Sequence, residues 1–244
     1  MGALVLTNAQ IIVGSFDVSG FSGQVATTPA QRMTKEITTF GSGGYRGYAI
    51  GLAAAGLNVS GFADYVATTG INDALLTPGA LGTQYATAIS PTGGATVGDP
   101  TWFTRGLMNE VTLLDAALGE PAKFQYTMTA DAGFLGGYVG APLSARTTTF
   151  TGAAVTMAGP TATQKLYAAL FVTTAGTSLA AKVQSAPASN FASPTDRVTF
   201  STVSATGWQW ATPVSGAITD GFWRVTATIG AGTFTYAAVF GVAS

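Results

Sequence analysis

The sequence predicts an all-β protein with at most minor helix, built as antiparallel sandwich or barrel domains. Two observations carry this. Segments of strict apolar/polar alternation recur along the second half of the chain, separated by glycine-bearing turns. Helix signals are sparse, and the best of them are short.

Taken in chain order, the first helix signal is 71–76, which stops before Pro78-Gly79, where a helix must end. The second follows Asp99-Pro100, an N-cap residue with proline in the first turn, and places Phe103 and Leu107 four apart on one face. Phe124-Gln125-Tyr126-Thr127-Met128-Thr129-Ala130-Asp131 alternates without a break, so Phe124, Tyr126, Met128 and Ala130 line one face of a half-buried strand. The stretch 133–143 is glycine-rich and carries Pro142; it reads as a linker and sets a boundary near residue 145, giving β domains at 1–145 and 146–244.

Beyond that boundary, 179–184, 197–200 and 224–229 alternate again, with Leu, Val, Phe or Ile inward and Lys, Arg, Gln or Thr outward, as antiparallel strands with one wet face do. Thr173-Thr174-Ala175-Gly176-Thr177-Ser178 separates 166–172 from 179–184 and predicts a hairpin. Gly230-Ala231-Gly232-Thr233 predicts a second between 224–229 and the run 234–240. No repeat with a period of 20 to 50 residues appears, which argues against a solenoid or propeller. The comparable strand content of the two halves leaves an old duplication open.

Composition narrows the function. At 244 residues and 47% hydrophobic, the chain affords a sizeable core, and disorder is excluded. Charged residues are only 9%, with ten basic against eleven acidic, where an ordinary domain has about 25%. A dispersed monomer relies on a charged surface, so this chain is expected to hide much of its exterior by self-association; a threonine- and serine-rich surface is the alternative. Met1-Gly2-Ala3-Leu4-Val5-Leu6 lacks the basic start and cleavage site of a secretory signal, so synthesis and assembly in the cytoplasm are expected. The weakly polar run 48–59 is broken by Gly51 and Gly56 and falls short of the about 20 residues of a membrane span, so no membrane partner is expected. The sequon Asn58-Val59-Ser60 reads as a piece of strand.

Catalysis is not expected. Without histidine the chain lacks the commonest general base and metal ligand, and without cysteine it has neither disulfides nor thiolate metal sites. Asp17, Asp64, Asp73, Asp99, Glu110, Asp115, Glu120 and Asp131 stand apart in sequence, so no calcium or magnesium cluster and no cofactor is expected. Gly41-Ser42-Gly43-Gly44-Tyr45-Arg46-Gly47 lacks the Gly-Lys-Ser/Thr ending of a phosphate loop and reads as a turn. Arg32, Lys35, Arg46 and Arg105 are not clustered with aromatics, so any contact with nucleic acid should be non-adhesive. Trp208-Gln209-Trp210 and Phe222-Trp223 could form a sugar platform, but aromatics near sandwich turns more often plug a core.

One further pattern is an ordered set of short motifs. Asp17-Val18-Ser19-Gly20-Phe21 is followed by Thr34-Lys35-Glu36-Ile37-Thr38-Thr39-Phe40-Gly41, the basic loop through Arg46, Gly51-Leu52, and Leu57-Asn58-Val59-Ser60-Gly61-Phe62. This succession resembles the tail tube (major tail) proteins of long-tailed bacteriophages, where an opening D-V-S-G-F/Y precedes a strand ending T-T-F-G, a short basic loop, G-L and a strand ending S-G-F/Y. Val97-Gly98-Asp99-Pro100-Thr101-Trp102-Phe103, Gly119-Glu120-Pro121-Ala122-Lys123-Phe124 and segments from Lys165 to Val242 extend the resemblance over most of the chain.

The resemblance implies tail-tube β domains that pair edge strands around a ring, with rings stacked into a hollow tube through which viral DNA passes. It implies Thr34, Lys35, Glu36, Ile37, Thr38, Thr39 and Phe40 as a ring-forming strand, and the 41–47 loop, with Tyr45 and Arg46, as an inter-ring contact. Implied partners are further copies of the chain, the tail tip or initiator, the tape-measure and tail terminator proteins, and DNA in transit. The implied location is the virion tail. Two architectures remain open: a sixfold ring with an outer second domain, or a threefold ring in which each chain gives two tube domains. The strand content of the second half favours the latter, although its only echo of T-T-F-G is Thr147-Thr148-Thr149-Phe150-Thr151-Gly152. The competing reading is a capsid-decorating or host-attachment module that binds a glycan through Trp208, Trp210, Phe222 and Trp223.

Overall fold

A computed structural model describes residues 8–36, 48–63, 81–131 and 133–244. In these residues the protein is all-β. The strands are β1 (Gln10–Val13), β2 (Phe16–Asp17), β3 (Ser22–Glu36), β4 (Tyr48–Phe62), β5 (Gln84–Ser90), β6 (Pro100–Asp115), β7 (Lys123–Ala130), β8 (Leu135–Arg146), β9 (Phe150–Thr151), β10 (Val155–Thr156), β11 (Lys165–Thr174), β12 (Leu179–Ala186), β13 (Thr195–Thr199), β14 (Gly207–Trp210), β15 (Val214–Ser215), β16 (Phe222–Ile229) and β17 (Phe234–Ala243). The pairings between them are antiparallel.

The chain divides into two compact units. The first holds residues 1–20, 85–104 and 135–244; the second holds 21–84 and 105–134, so β6 contributes its start to one and its remainder to the other. The boundary expected near residue 145 falls inside β8, and the division lies elsewhere. The stretch 133–143 looks like a linker in sequence, yet it pairs with β17 along one side and β6 along the other. Its glycines are there for close packing: a Cβ on Gly137 would run into the Phe240 carbonyl, and one on Gly140 into the Val225 side chain. Pro142 lies where the β8–β17 register slips between Tyr236 and Ala238, a position that spares a missing N–H.

Within the first unit two sheets face one another. The larger runs β14-β11-β17-β8-β6-β5-β1-β2, and the smaller runs β10-β16-β12-β13 with β9 also on β16. Leu166, Ala168, Leu170 and Val172 of β11 and Phe234, Tyr236, Ala238 and Phe240 of β17 meet Leu179, Ala181, Val183, Trp223, Val225 and Ala227 across the interior. Each large side chain so buried contributes about 1.5–3 kcal/mol. The opposite faces of β11 and β17 are buried too, with Phe171, Ala237 and Val239 against Ile12, Ala88 and Phe103.

That second core requires the large sheet to curl. Trp210 on β14 and Phe103 on β6 are four strands apart, about 19 Å on a flat sheet, yet their rings lie 5.5 Å apart. The sheet therefore rolls toward a barrel.

Both expected hairpins are replaced by crossings between the sheets. β11 and β17 belong to the large sheet, whereas β12 and β16 belong to the small one. The reason is burial: the apolar run in β17 needs cover on both faces and neighbours on both edges, which β11 and β8 supply, while alternating β16 needs cover on one face only. The two turns lie side by side, Thr177 N–H donating to the Ala231 carbonyl (2.8 Å) and Gly230 N–H to that of Ser178 (2.9 Å). Gly232, at φ +83°, closes one of them in a conformation that favours glycine.

The helix expected after Asp99 is a strand. The Asp99 carboxylate accepts from the N–H of Thr96 behind it, closing a turn rather than capping a helix, and Pro100 opens β6 as its first residue. Phe103 is fully buried while Leu107 is half-exposed, so the pair does not share a buried face. The helix expected at 71–76 lies outside the described residues.

The second unit is a four-stranded sheet in the order β3-β4-β7-β6. β7 carries the alternation expected for 124–130: Phe124, Tyr126, Met128 and Ala130 are buried and the residues between them are not.

Candidate functional site

Among the described residues, the D-V-S-G-F, S-G-F and Gly119-Glu120-Pro121 motifs fold into turns and strand ends. In Asp17-Val18-Ser19-Gly20-Phe21 the Asp17 carboxylate accepts from the Ser19 backbone N–H (3.0 Å) and hydroxyl, and that hydroxyl oxygen accepts from the Ile11 N–H (2.9 Å). Val18 is buried beneath. The motif closes the β1–β2 end of the first unit and hands the chain to β3.

At the start of β3, the Phe21 carbonyl accepts from Phe62 N–H (2.9 Å), and Ser22 lies opposite Gly61. A Cβ on Gly61 would run into the Phe21 carbonyl, so this close approach of strands requires glycine. Phe21, which ends the D-V-S-G-F motif, thus meets the S-G-F motif, about forty residues on in sequence, at one end of the second unit's sheet. Gly119-Glu120-Pro121 lies at that same end. Glu120 N–H donates to the Ala117 carbonyl (3.0 Å), and Gly119, at φ +92°, turns the chain from β6 into β7.

One edge of this sheet is long. β3 runs 15 residues and, among the described residues, pairs with β4 alone. At the other side, residues 110–115 of β6 pair with β7 and with no other described strand. Pro29 sits where the β3–β4 register slips between Thr28 and Gln31, the placement an edge strand tolerates. In the first unit the outermost strands are short: two residues in β2, four in β14, five in β13, and two each in β9, β10 and β15. Short edges discourage pairing with another chain, whereas long ones offer it a row of backbone donors and acceptors.

Of the residues expected at a subunit interface, Thr34, Lys35 and Glu36 lie on β3, opposite Ile50, Ala49 and Tyr48. Ile37, Thr38, Thr39, Phe40, Tyr45 and Arg46 lie outside the described residues. The end of β6 was not singled out in sequence, because nothing in Asn109-Glu110-Val111-Thr112 tells an edge strand from an inner one.

In the first unit, charged groups serve the fold. Arg197 pairs with Asp220 (3.0 Å) and donates to the Ser185 hydroxyl (2.8 Å), which itself donates to Asp220 (2.6 Å). The Ser185 bond, then the Arg197 contacts, hold the Asp220 carboxyl below its ordinary range. Lys182 and Gln184 do the same for Asp196. Arg146 has its guanidinium over Phe150 (4.3 Å) and Tyr236 (4.7 Å) while donating to the carbonyls of Pro142, Ser144 and Tyr236; burial lowers its pKa.

The tryptophans expected of a sugar platform pack against the core. Trp223 is fully buried, its indole N–H on the Met157 carbonyl, and Trp208 and Trp210 lie half-buried against the Phe103 and Phe171 core. Among the described residues no three acidic side chains gather into a metal-binding group.

No protein-family model and no curated protein matches the chain. Among solved structures it is similar to the sheath/tube terminator of PVC, an extracellular contractile injection system, in the extended state. The identity is 15%, over 56% of this chain and 97% of that one, with a TM-score of 0.42. A structure of the PVC sheath–tube complex in the extended state gives 16% identity over 55% of this chain and 90% of that one, with a TM-score of 0.42. The Dit protein of phage SPP1, described as a paradigm of the hub adsorption apparatus in phages infecting Gram-positive hosts, gives 10% identity over 97% of this chain and 99% of that one, with a TM-score of 0.38.

Proposed function

We propose that this chain is a non-enzymatic structural component of a phage-type tail, and specifically a tube subunit that joins copies of itself edge to edge into rings. The observation that carries the reading is the contrast between the 15-residue edge that β3 leaves unpaired among the described residues and the short edges of the first unit. The family-like motifs, two of which meet at one end of that same sheet, supply the tail context.

The strand order supports closure. With four antiparallel strands the outer two run in opposite directions, so β6 of one copy meets β3 of the next antiparallel, and every copy in a ring presents the same pair of edges. Stacked rings would leave a central channel for DNA, and the tail tip, tape-measure and terminator proteins would meet the ends or the lumen. The glycan-binding alternative is disfavoured because Trp208, Trp210 and Trp223 are engaged with the core.

Negative-stain electron microscopy of concentrated protein, with and without a tail initiator complex, tests this. Hollow rings or tubes with three- or sixfold end views support the reading and choose between the two architectures. Monodisperse particles under both conditions sink it.

A further inference from the structure

The turn between β6 and β7 has the wrong chemistry for a free loop. Its tip, Ala116-Ala117-Leu118, is apolar and exposed, and Leu118 is as open to solvent as an isolated leucine. Loop tips are ordinarily polar, and among the described residues this leucine packs against nothing. On the same unit a cleft of ≈ 330 Å³ opens beside the starts of β3 and β7, lined by Gly23, Gln24, Phe62, Thr112, Lys123 and Phe124. Gln24, Ser60, Thr112, Lys123 and Gln125 make much of its lining polar, and Phe62, 56% exposed, is its open apolar side chain.

We propose that the Leu118 tip of one copy seats in the Phe62 cleft of the neighbouring copy, locking the edge-to-edge contact of the proposed ring. The inference rests on that reading and names the surface it uses. Placement is the first argument. The starts of β3 and β7 and the ends of β4 and β6 share one end of the sheet, with Phe62 opposite Lys123 and Lys123 opposite Asp115. The tip joins β7 to β6, the outer strand on that side, and the cleft extends from Thr112 on β6 across to Gly23 and Gln24 on β3. Copies related by rotation about one axis keep their ends aligned, so pairing β6 with the next copy's β3 brings tip and cleft together.

Charge is the second argument. Glu120 lies two residues beyond Leu118, and Lys123 stands at the cleft; neither makes an ion pair among the described residues. Across the contact the two would complement one another, while the leucine covers the exposed Phe62 ring.

The chain lacks cysteine, so single cysteines report the contact directly. Chains carrying Leu118→Cys are mixed with longer-tagged chains carrying Gln24→Cys, assembled, oxidised and resolved on a denaturing gel. A mixed dimer forming only under assembly conditions is expected, with none between Leu118→Cys and the control Thr228→Cys. Leu118→Glu should lower the assembled fraction at least about tenfold without moving the unfolding midpoint of the monomer. Tubes that form without the mixed dimer, or Leu118→Glu chains that assemble like the parent, overturn the contact and leave the tube reading standing. Failure of the parent chain to assemble with an initiator present overturns both.

Discussion

Replacing Gly61 by alanine tests whether the meeting of the two family-like motifs is a real structural constraint. A Cβ there lies 2.8 Å from both the Phe21 carbonyl carbon and Ser22 Cα, and closer still to the Phe21 oxygen. Carbon atoms settle at about 3.5–4.0 Å, so β3 and β4 must part locally by about 1 Å. The 2.9 Å bond from Phe62 N–H to the Phe21 carbonyl cannot survive that movement. Losing it costs about 1 kcal/mol, and the forced backbone shift about 1–3 kcal/mol more, for about 2–4 kcal/mol in all.

Gly20 is the matched control: it has open space around it and no left-handed φ, so Gly20→Ala should stay within about 1 kcal/mol of the parent. All four tryptophans belong to the first unit, so their fluorescence follows that unit, while amide exchange at 22–24 and 60–62 follows the second. Gly61→Ala should speed exchange there by about 30- to 1,000-fold, with little change in the tryptophan unfolding midpoint. Exchange like the parent's, or an equal effect from Gly20→Ala, refutes the reasoning.

Arg146→Ala should cost about 2–4 kcal/mol in urea unfolding, because it removes two ring contacts and three bonds to carbonyls. Lysine should not restore them, since it keeps the charge but not the planar face; full rescue by lysine would show that charge alone matters. Asp220 and Asp196 have lowered pKa values, so the stability they contribute is complete above the ordinary carboxylate range and is lost as pH falls through their folded values. Between about pH 5 and pH 2.5 the parent should therefore lose more stability than Asp220→Asn, and parallel acid profiles would contradict the assignment. Tubes, if held by backbone ladders and apolar packing, should persist in about 1 M salt, where exposed ion pairs are screened; dissociation seen by sedimentation would count against that packing.

Much of the fold was legible because local chemistry and burial agreed. The alternation in 124–130 names the buried face of β7 residue by residue, and the outward Lys182, Gln184 and Arg224 mark the wet face of the small sheet. The failures share a cause. Gly230–Thr233 turns the chain whether the next strand pairs with the last or crosses to the facing sheet, and only the two-sided burial of β17 distinguishes these outcomes. Gly133 to Leu143 misled for a similar reason, since glycines needed for close strand packing look in sequence like glycines needed for flexibility. Asp99-Pro100 begins either a helix or a strand, and the hydrogen bond that decides it runs backward to Thr96.

The candidate site was half legible. The β3 edge was reachable through Thr34, Lys35 and Glu36, but the β6 edge and the Phe62 cleft depend on which strands pair, which periodicity does not encode. The exposed Leu118 between Ala117 and Gly119 was the signal passed over: a large apolar residue at a turn where the fold has no use for it.

The low charge of the chain has a structural counterpart. In the first unit, Lys182, Arg197, Asp196 and Asp220 are spent on pairs with one another, and Arg146 is held by rings and carbonyls. They therefore offer little free charge with which to repel another molecule. The first unit needs little such protection, because its edges are short. The second has, among the described residues, one long edge and an apolar loop tip, features that a monomeric protein would guard with lysine, proline or cover. Pro29, Lys35 and Glu36 lie on β3, so that edge is partly guarded, and pairing there should favour a partner of matching register over indiscriminate strand addition. The end of β6 and the Leu118 turn hold the remaining specificity. An assembly using both would gain its backbone ladder only where the tip also finds its cleft, which discriminates the correct neighbour from any other exposed strand.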